Sequence, residues 1–283
     1  MNTRRRLVNM DRVVEYINRL IVIAVIVSII YPILFVVLTS LKTTKEFYSN
    51  VWGIPQQIAW SNYPTAWNEG RIGPAFLTSA FVVSVSILVI LVFGALAGYA
   101  FARLEIPKAE LIVVLLVATT MFPSESVIMP IYITLSKAGL IGTHYSLIIP
   151  YIGWSLPITI YIFRDFFQTL PVDLIESARI DGSNELGVFL RIMLPLMLPA
   201  IATCAIFNFV NLWGELLWAT IALASQSTIR TIPMGVVEFK GQFSTDWGPL
   251  SAAICIVLLP LIIFFLFVQK YFVQGLTAGA VKA

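Results

Sequence analysis

Charge is the scarcest property of this chain. Only 12% of its 283 residues are Asp, Glu, Lys or Arg, and 59% are hydrophobic. Soluble domains carry roughly 25% charged residues. With a mean hydropathy of +0.90, that shortage excludes a soluble globular protein and places the chain in a membrane. Histidine is nearly absent too, with His144 alone at the start of an apolar run. One histidine is a poor inventory for acid–base chemistry. HExxH, GxSxG and paired aspartates within apolar segments are all missing, which argues against an intramembrane enzyme. GxxxxGK(S/T) is missing as well, so ATP has no P-loop here. Cys204 and Cys255 lie in apolar segments without CxxC or metal-type spacing. They read as small packed hydrophobes, and neither a disulfide nor a bound metal is expected. The net charge of +3 comes from scattered basic residues, and the aromatics fall in apolar runs. That leaves no nucleic-acid footprint.

Long apolar runs are what the chain has in abundance. A bilayer core of about 30 Å needs roughly 20 apolar residues in a helix. Six segments qualify: 20–41, 76–102, 111–135, 145–163, 192–224 and 247–269. The second carries Gly94 and Gly98, spaced as a close-packing face. The third is interrupted by Pro123 and carries Glu125; the fourth holds Pro150 and Pro157; the fifth, longer than a span needs, holds Glu215. Runs of this length lack the alternation of barrel strands, so the expected fold is all-α with six transmembrane helices. Arg4, Arg5 and Arg6 precede Asp11, Arg12, Glu15 and Arg19, and the first run is of full length with no small-residue cleavage site. It reads as a retained span rather than a signal peptide.

Basic residues set the orientation. With the N-terminus inside, twelve fall on the inner side (Arg4, Arg5, Arg6, Arg12, Arg19, Arg103, Lys108, Arg164, Arg179, Arg191, Lys270, Lys282) and six outside (Lys42, Lys45, Arg71, Lys137, Arg230, Lys240). Both termini are therefore expected in the cytoplasm. Two outer loops are sizeable, 42–74 with Trp52, Trp60 and Trp67, and 225–246 with Pro233, Gly235 and Gly241. The tryptophans serve either as interface anchors or as a docking surface for an external partner. No internal repeat or low-complexity linker is visible. The expected division is 1–74, a tail, first helix and outer loop, and 75–283, the core membrane domain.

Between the fourth and fifth spans lies a watery segment, about 165–195. Thr169 or Asp173 can cap a helix there, with Pro171 in an early position and Asp173-x-x-Glu176 fitting a capping box. That helix can run to about Ile180, where Asp181-Gly182 supplies a turn tolerant of positive φ. Ser183 or Asn184 then opens a second short helix, and Pro195 and Pro199 mark the start of the fifth span. Helices this short fall well under the roughly 12–15 residues at which isolated ones become marginal. They must be held by tertiary contacts or a partner. Small Ser177 and Ala178 beside Glu176 suit close approach to a partner groove; the plain alternative is a loop on the lipid surface.

The spacing then becomes specific. Glu176-x-Ala178-x-x-Asp181-Gly182, with nine residues before Ile192-x-x-Pro195, resembles the coupling loop of binding-protein-dependent ABC importer permeases. Phe189, Leu194, Leu196 and Pro199 fit the same pattern, and Ser177 replaces a usual alanine with another small residue. The stretch Trp247 to Ala253 and the ending Gln269 to Lys282 resemble the smaller permease of maltose-type sugar importers, so the likeness runs over essentially the whole chain. It implies a type I importer permease in a prokaryotic inner membrane. The implied partners are a homologous second permease as heterodimer, two ABC ATPase subunits holding ATP and Mg, an external solute-binding protein, and a sugar. No cofactor is implied in this chain. By the same likeness, Glu176, Ser177, Ala178, Asp181 and Gly182, with Gly275, Leu276, Thr277, Ala278 and Gly279 of the tail (270–283), contact the ATPases.

Ionisable groups at membrane depth are functional suspects. Asn208, Asn211 and Glu215 fall at i, i+3 and i+7, and Trp218 continues that helical face. Two amides, a carboxylate and an indole suit a sugar's hydroxyls and apolar face. The same face can instead bond neighbouring helices together. The related permeases often have Trp-Asn-Asp/Glu where this chain has Trp213-Gly214-Glu215, so the amide is missing and Asn211 is its candidate substitute. Glu125, after Pro123, either faces a translocation cavity or is solvated near an interface. An ion-coupled secondary carrier is the competing function, with Glu125 and Glu215 as its buried acids. It leaves the 176–195 pattern without a role.

Overall fold

The computed structural model describes the backbone of residues 2–223, 228–239 and 245–280, and side chains from Val14 to Lys270 within those stretches. Its regular elements are helices: α1 (Asn2–Ser40), α2 (Thr44–Ser49), α3 (Asn62–Asn68), α4 (Ile72–Arg103), α5 (Ala109–Thr119), α6 (Ser124–Lys137) and α7 (Tyr145–Thr169) in the first part. They continue as α8 (Asp173–Ile180), α9 (Glu185–Val188), a π turn (Phe189–Met193), α10 (Leu194–Leu196), α11 (Leu198–Trp213), α12 (Leu217–Leu223), α13 (Ile232–Glu238) and α14 (Trp247–Ala280).

Among the described residues, Val14–Ser40, Ile72–Arg103, Tyr145–Thr169 and Trp247–Lys270 are each long and apolar enough to cross a membrane. Two bent pairs, α5 with α6 (93°) and Glu185–Leu196 with α11 (72°), raise the number to six if each pair is one crossing. At 1.5 Å per residue, the 11 residues of α5 and the 14 of α6 each fall short of a core about 30 Å thick. The protein is therefore an all-α, multi-pass inner-membrane protein. The expected interruption at Pro123 is present, since α6 begins directly after it. The expected single run 192–224 is not: the helix stops at Trp213, and residues 214–216 separate α11 from α12. An apolar run registers hydrophobicity but not helix continuity, and Gly214 ends α11.

The chain divides into two compact units, residues 1–70 with 238–256, and residues 71–237 with 257–283. In the first, the apolar window of α1 buries nothing inside the chain. Polar anchoring follows it. Lys42, almost fully buried, donates through Nζ to the carbonyls of Asn50 (2.7 Å) and Val51 (3.0 Å). Asn62 donates to the carbonyls of Ser40 and Lys42, both at 2.8 Å. A Cβ at Gly248 would lie 2.5 Å from the Lys42 carbonyl oxygen, so only glycine permits this approach. Trp247 stacks on Phe47 at 4.9 Å between ring centroids. In sequence terms, parts of both long loops meet in this unit. Lys240 and Gly241 lie outside the described residues.

The second unit is built on α4 against α7. A Cβ at Gly94 would meet Thr159 Cγ2 at 2.8 Å, and one at Gly98 would meet Phe163 Cβ at 2.8 Å and the Arg164 backbone nitrogen at 3.0 Å. The two glycines thus let the helix backbones approach as the spacing predicts. Two apolar clusters flank this seam. One gathers Val82, Ile90, Leu147, Tyr151, Trp213 and Trp218. The other gathers Tyr99, Phe163, Phe167, Ile175, Val188, Phe189 and Met193. Gly98→Leu should therefore prevent folding of the membrane domain: little monodisperse protein should be recovered by detergent size exclusion. Gly139→Ala, in open space but at positive φ, should lose only about 1 kcal/mol and be recovered normally.

Candidate functional site: a helical hairpin and the polar residues of the spans

The segment 173–193 folds as a hairpin of two short helices. α8 buries Ile175 and Ala178, at i and i+3, and leaves Glu176, Ser177, Asp181 and Gly182 exposed. Its end is a Schellman turn: Gly182 N–H donates to Arg179 O (3.0 Å) and Ser183 N–H to Ala178 O (2.9 Å). Gly182 sits at φ +84°, where an L side chain is strained. Asn184 caps α9, its Oδ1 accepting from Gly187 N–H at 2.8 Å, so the second helix starts where the sequence predicts. The start of α8 differs. Val172 holds the cap position and no side chain caps it, Asp173 lying inside the first turn. Ala178 also differs from the expected outward placement, because an eight-residue amphipathic helix must spend its apolar i, i+3 pair on its own core.

The exposed side of the hairpin carries a residue the sequence pattern did not single out. Ile180 is 86% exposed, beside Asp181 and Gly182, and Leu186 is exposed as well. An apolar side chain at a helix end gives no periodic signal that would have found it. The buried side is tied to α4. Glu185 accepts from Tyr99 OH (3.0 Å) and pairs with Arg179 (2.6 Å), which bridges α9 to α8. Arg103, at the end of α4, donates to the carbonyls of Phe167 and Leu170, where α7 ends. The Tyr99 ring lies 5.4 Å from Phe167 and 5.2 Å from Phe189. Displacement of the hairpin is thus resisted at α4 and α7 together.

The polar residues of the spans do not form one stripe. Asn208 is 1% exposed and donates to Cys204 O (2.8 Å) and to Thr159 Oγ1 (3.2 Å), joining α11 to α7. Asn211 is exposed on the outside of α11. Glu215 lies past the helix end and caps α12: its carboxylate accepts from the N–H groups of Trp218 (2.7 Å) and Ala219 (3.0 Å) and from Tyr151 OH (2.7 Å). Trp218 is 1% exposed and donates to Ser146 O at 2.9 Å. The break at 214–216 cancels the periodicity that joined Glu215 and Trp218 to the asparagines. Glu125 is exposed and lines a cleft of about 840 Å³ at the α5–α6 break, with Trp154 of α7. In sequence Trp154 is one more aromatic in a charge-free run, so nothing there distinguished it. Gly275, Leu276, Thr277, Ala278 and Gly279 fall within the helical backbone of α14, and their side chains lie outside the described residues. Among the described residues no three His, Cys, Asp or Glu side chains converge as a metal site.

A multi-pass helical protein with sharply bent helix pairs and a short-helix hairpin is the class these observations define. Residues 90–278, more than half of the chain, match the family described as binding-protein-dependent transport system inner membrane component. The chain belongs to that family and is a permease subunit of an ABC importer. It is 33% identical over 257 residues to the probable ABC transporter permease protein YurM of Bacillus subtilis, covering 91% of this chain and 85% of that one. It is 31% identical over 274 residues to the diacetylchitobiose uptake system permease protein NgcG of Streptomyces coelicolor, covering 96% and 90%. The same fold occurs in the crystal structure of a bacterial ABC transporter involved in the import of the acidic polysaccharide alginate, with a TM-score of 0.78 at 20% identity, covering 93% of this chain and 97% of that one.

Glu185→Ala removes the acceptor shared by Tyr99 and Arg179. Local opening of the hairpin should become easier by roughly 1–2 kcal/mol, raising amide hydrogen exchange across 173–190 by about tenfold. Exchange in the α4–α7 seam should stay unchanged. Glu185→Gln, which keeps an acceptor for Tyr99, should fall between.

Proposed function

We propose that this chain is one half of a carbohydrate importer's translocation pathway, driven through the hairpin at 165–195 by a separate ATPase. In this reading six spans cross the membrane, counting each bent pair once, and both termini face the cytoplasm. The twelve-to-six distribution of basic residues supports that sense. A homologous second permease completes the pathway, two ABC ATPase subunits bind ATP and Mg, and an external binding protein delivers the solute. The division into a first-span unit, 1–74, and a core domain, 75–283, belongs to the same proposal.

One observation carries the docking role. The hairpin presents Glu176, Ser177, Ile180, Asp181 and Gly182 to solvent while Ile175 and Ala178 anchor it inside. A largely exposed isoleucine next to Asp181 and four residues after Glu176, with the adjacent Arg179 already paired to Glu185, suits a partner groove that is apolar at its floor and cationic at its rim. Closure of the ATPases would push the hairpin and, through Tyr99 and Arg103, bias α4 and α7 between outward-open and inward-open arrangements. The hairpin and the solute path are then two sites acting on one two-state element. The tail from Gly275 to Gly279 is assigned a second ATPase contact by its likeness to the smaller maltose-type permeases. Asn211, Glu215 and Glu125 remain the polar candidates for the solute path; Asn208 and Trp218 act on it through helix packing. The carbohydrate class is supported by relatives such as the diacetylchitobiose permease.

Two substitutions test the docking role. Ile180→Asp should cut co-purification of the ATPase subunits by at least about tenfold, with the permease still inserted and monodisperse. Gly182→Leu forces a side chain to positive φ, costing about 1–2 kcal/mol, and should reduce transport per ATP hydrolysed. ATPase recovery equal to wild type for Ile180→Asp, together with normal coupling for Gly182→Leu, would remove the hairpin from this role.

A further inference from the structure

The cleft beside the α5–α6 break has no role in the family assignment, and its composition is specific. Irregular backbone within a span is tolerated where protein or a water-filled cavity covers it. Here residues 120–123 interrupt the crossing, and the α5–α6 pair bends by 93° over the opening. The volume, about 840 Å³, falls within the roughly 300–1,000 Å³ typical of small-ligand sites. The lining is largely apolar, with Trp154 beside Phe122, Val127, Pro130 and Ile131, and its polar groups come from Thr119, Thr120, Ser124, Glu125 and the backbone at Gly153. Trp154 is half-buried, braced by a T-shaped contact with Trp218 (5.9 Å) and a tilted one with Tyr151 (6.2 Å). It is a pre-positioned flat apolar surface. Thr119 and Thr120 already donate their hydroxyl protons to Leu116 O (2.6 Å) and Val117 O (2.7 Å), which leaves their oxygens as acceptors. Pro157 has no N–H to give the Gly153 carbonyl four residues earlier, so that acceptor is released too.

The polar lining is thus rich in acceptors, with a carboxylate among them and no Lys, Arg or His. Such a surface receives hydrogen bonds from many hydroxyl donors and repels anions. We propose that this cleft is a binding subsite for an uncharged saccharide, with a sugar's apolar face on Trp154 and its hydroxyls donating to Glu125 and the threonine oxygens. The assignment rests on the carbohydrate reading above and narrows it: uronates and sugar or glycerol phosphates are disfavoured, because Glu125 meets them without a compensating cation.

The test uses the full importer, with its second permease, ATPases and binding protein, in a host lacking other uptake routes for the probes. Labelled maltose, trehalose and raffinose are the neutral probes; glycerol 3-phosphate and an alginate disaccharide are the anionic ones. Gly153 is informative because a Cβ there meets nothing within 4 Å, so Gly153→Leu fills the cleft without displacing neighbours. The wild type should import at least one neutral probe and neither anion. Gly153→Leu should reduce that import by at least about tenfold with all subunits co-purifying. Trp154→Ala should raise the apparent KM about tenfold and Trp154→Phe by less, as loss of an aromatic contact predicts. Neutral uptake unchanged in Gly153→Leu and Trp154→Ala would overturn the subsite alone. Loss of the second permease from the Gly153→Leu complex would overturn it too, by showing that the cleft is an interface between permeases. Import of an anion with no neutral probe taken up would overturn the neutral-saccharide assignment. Uptake of no probe at all by the wild type would remove the carbohydrate reading and the subsite with it.

Discussion

The contact on which the membrane unit depends is the backbone-close seam between α4 and α7. Within a bilayer, apolar burial gives little drive for helices to associate, since lipid tails are as apolar as leucine. Packing at short range has to supply it. Gly94 and Gly98 accept Thr159 and Phe163 at distances that no Cβ would permit. That seam fixes Phe163 and Phe167, which together with Tyr99 form the floor beneath the hairpin. It likewise fixes the α7 face from which Tyr151 and Trp154 project towards Glu215 and the cleft. One pair of glycines therefore positions both the floor of the hairpin and one wall of the cleft.

The same membrane physics explains where the polar chemistry sits. A span can afford an interruption only where side chains or a cavity satisfy the released backbone. At 214–216 the Glu215 carboxylate takes that part, accepting two N–H groups of α12 and the Tyr151 hydroxyl. At 120–123 the interruption opens on a cleft with hydroxyls and a carboxylate instead. One break is closed by its own side chains and the other opens on a cleft. The hairpin obeys a different rule, that of water: two short helices held by a Schellman turn, an asparagine cap and the Arg179–Glu185 pair. Its apolar remainder, Ile180, has no partner within the chain's own core.

Much of this was legible beforehand because the signals were local. Length and apolarity mark helices long enough to span, positive φ at Gly182 follows from Asp-Gly after a short helix, and Asn184 is a cap by type. The close approach at Gly94 and Gly98 follows from their four-residue spacing. Other features were not legible because they depend on where a helix stops. The stripe from Asn208 to Trp218 assumed one continuous helix, and Gly214 ended it. Ala178 and Ser177 look alike as small residues, yet only one of them faces the core.

By itself, then, the sequence determined that the chain lives in a membrane, which stretches are apolar enough to lie there, and that a polar segment with a fixed pattern interrupts them. Those properties reside in hydropathy, charge and short-range backbone preference, all of which are read within a few residues. Only the tertiary structure decided that Asn208 and Trp218 are committed to helix contacts, that Glu215 caps a helix, and that Trp154 and Glu125 share a cleft. The Glu215 cap is local but depends on where α11 stops, and the others are relations between residues tens of positions apart. They follow from helix breaks and crossing geometry, for which a uniformly apolar sequence carries almost no signal.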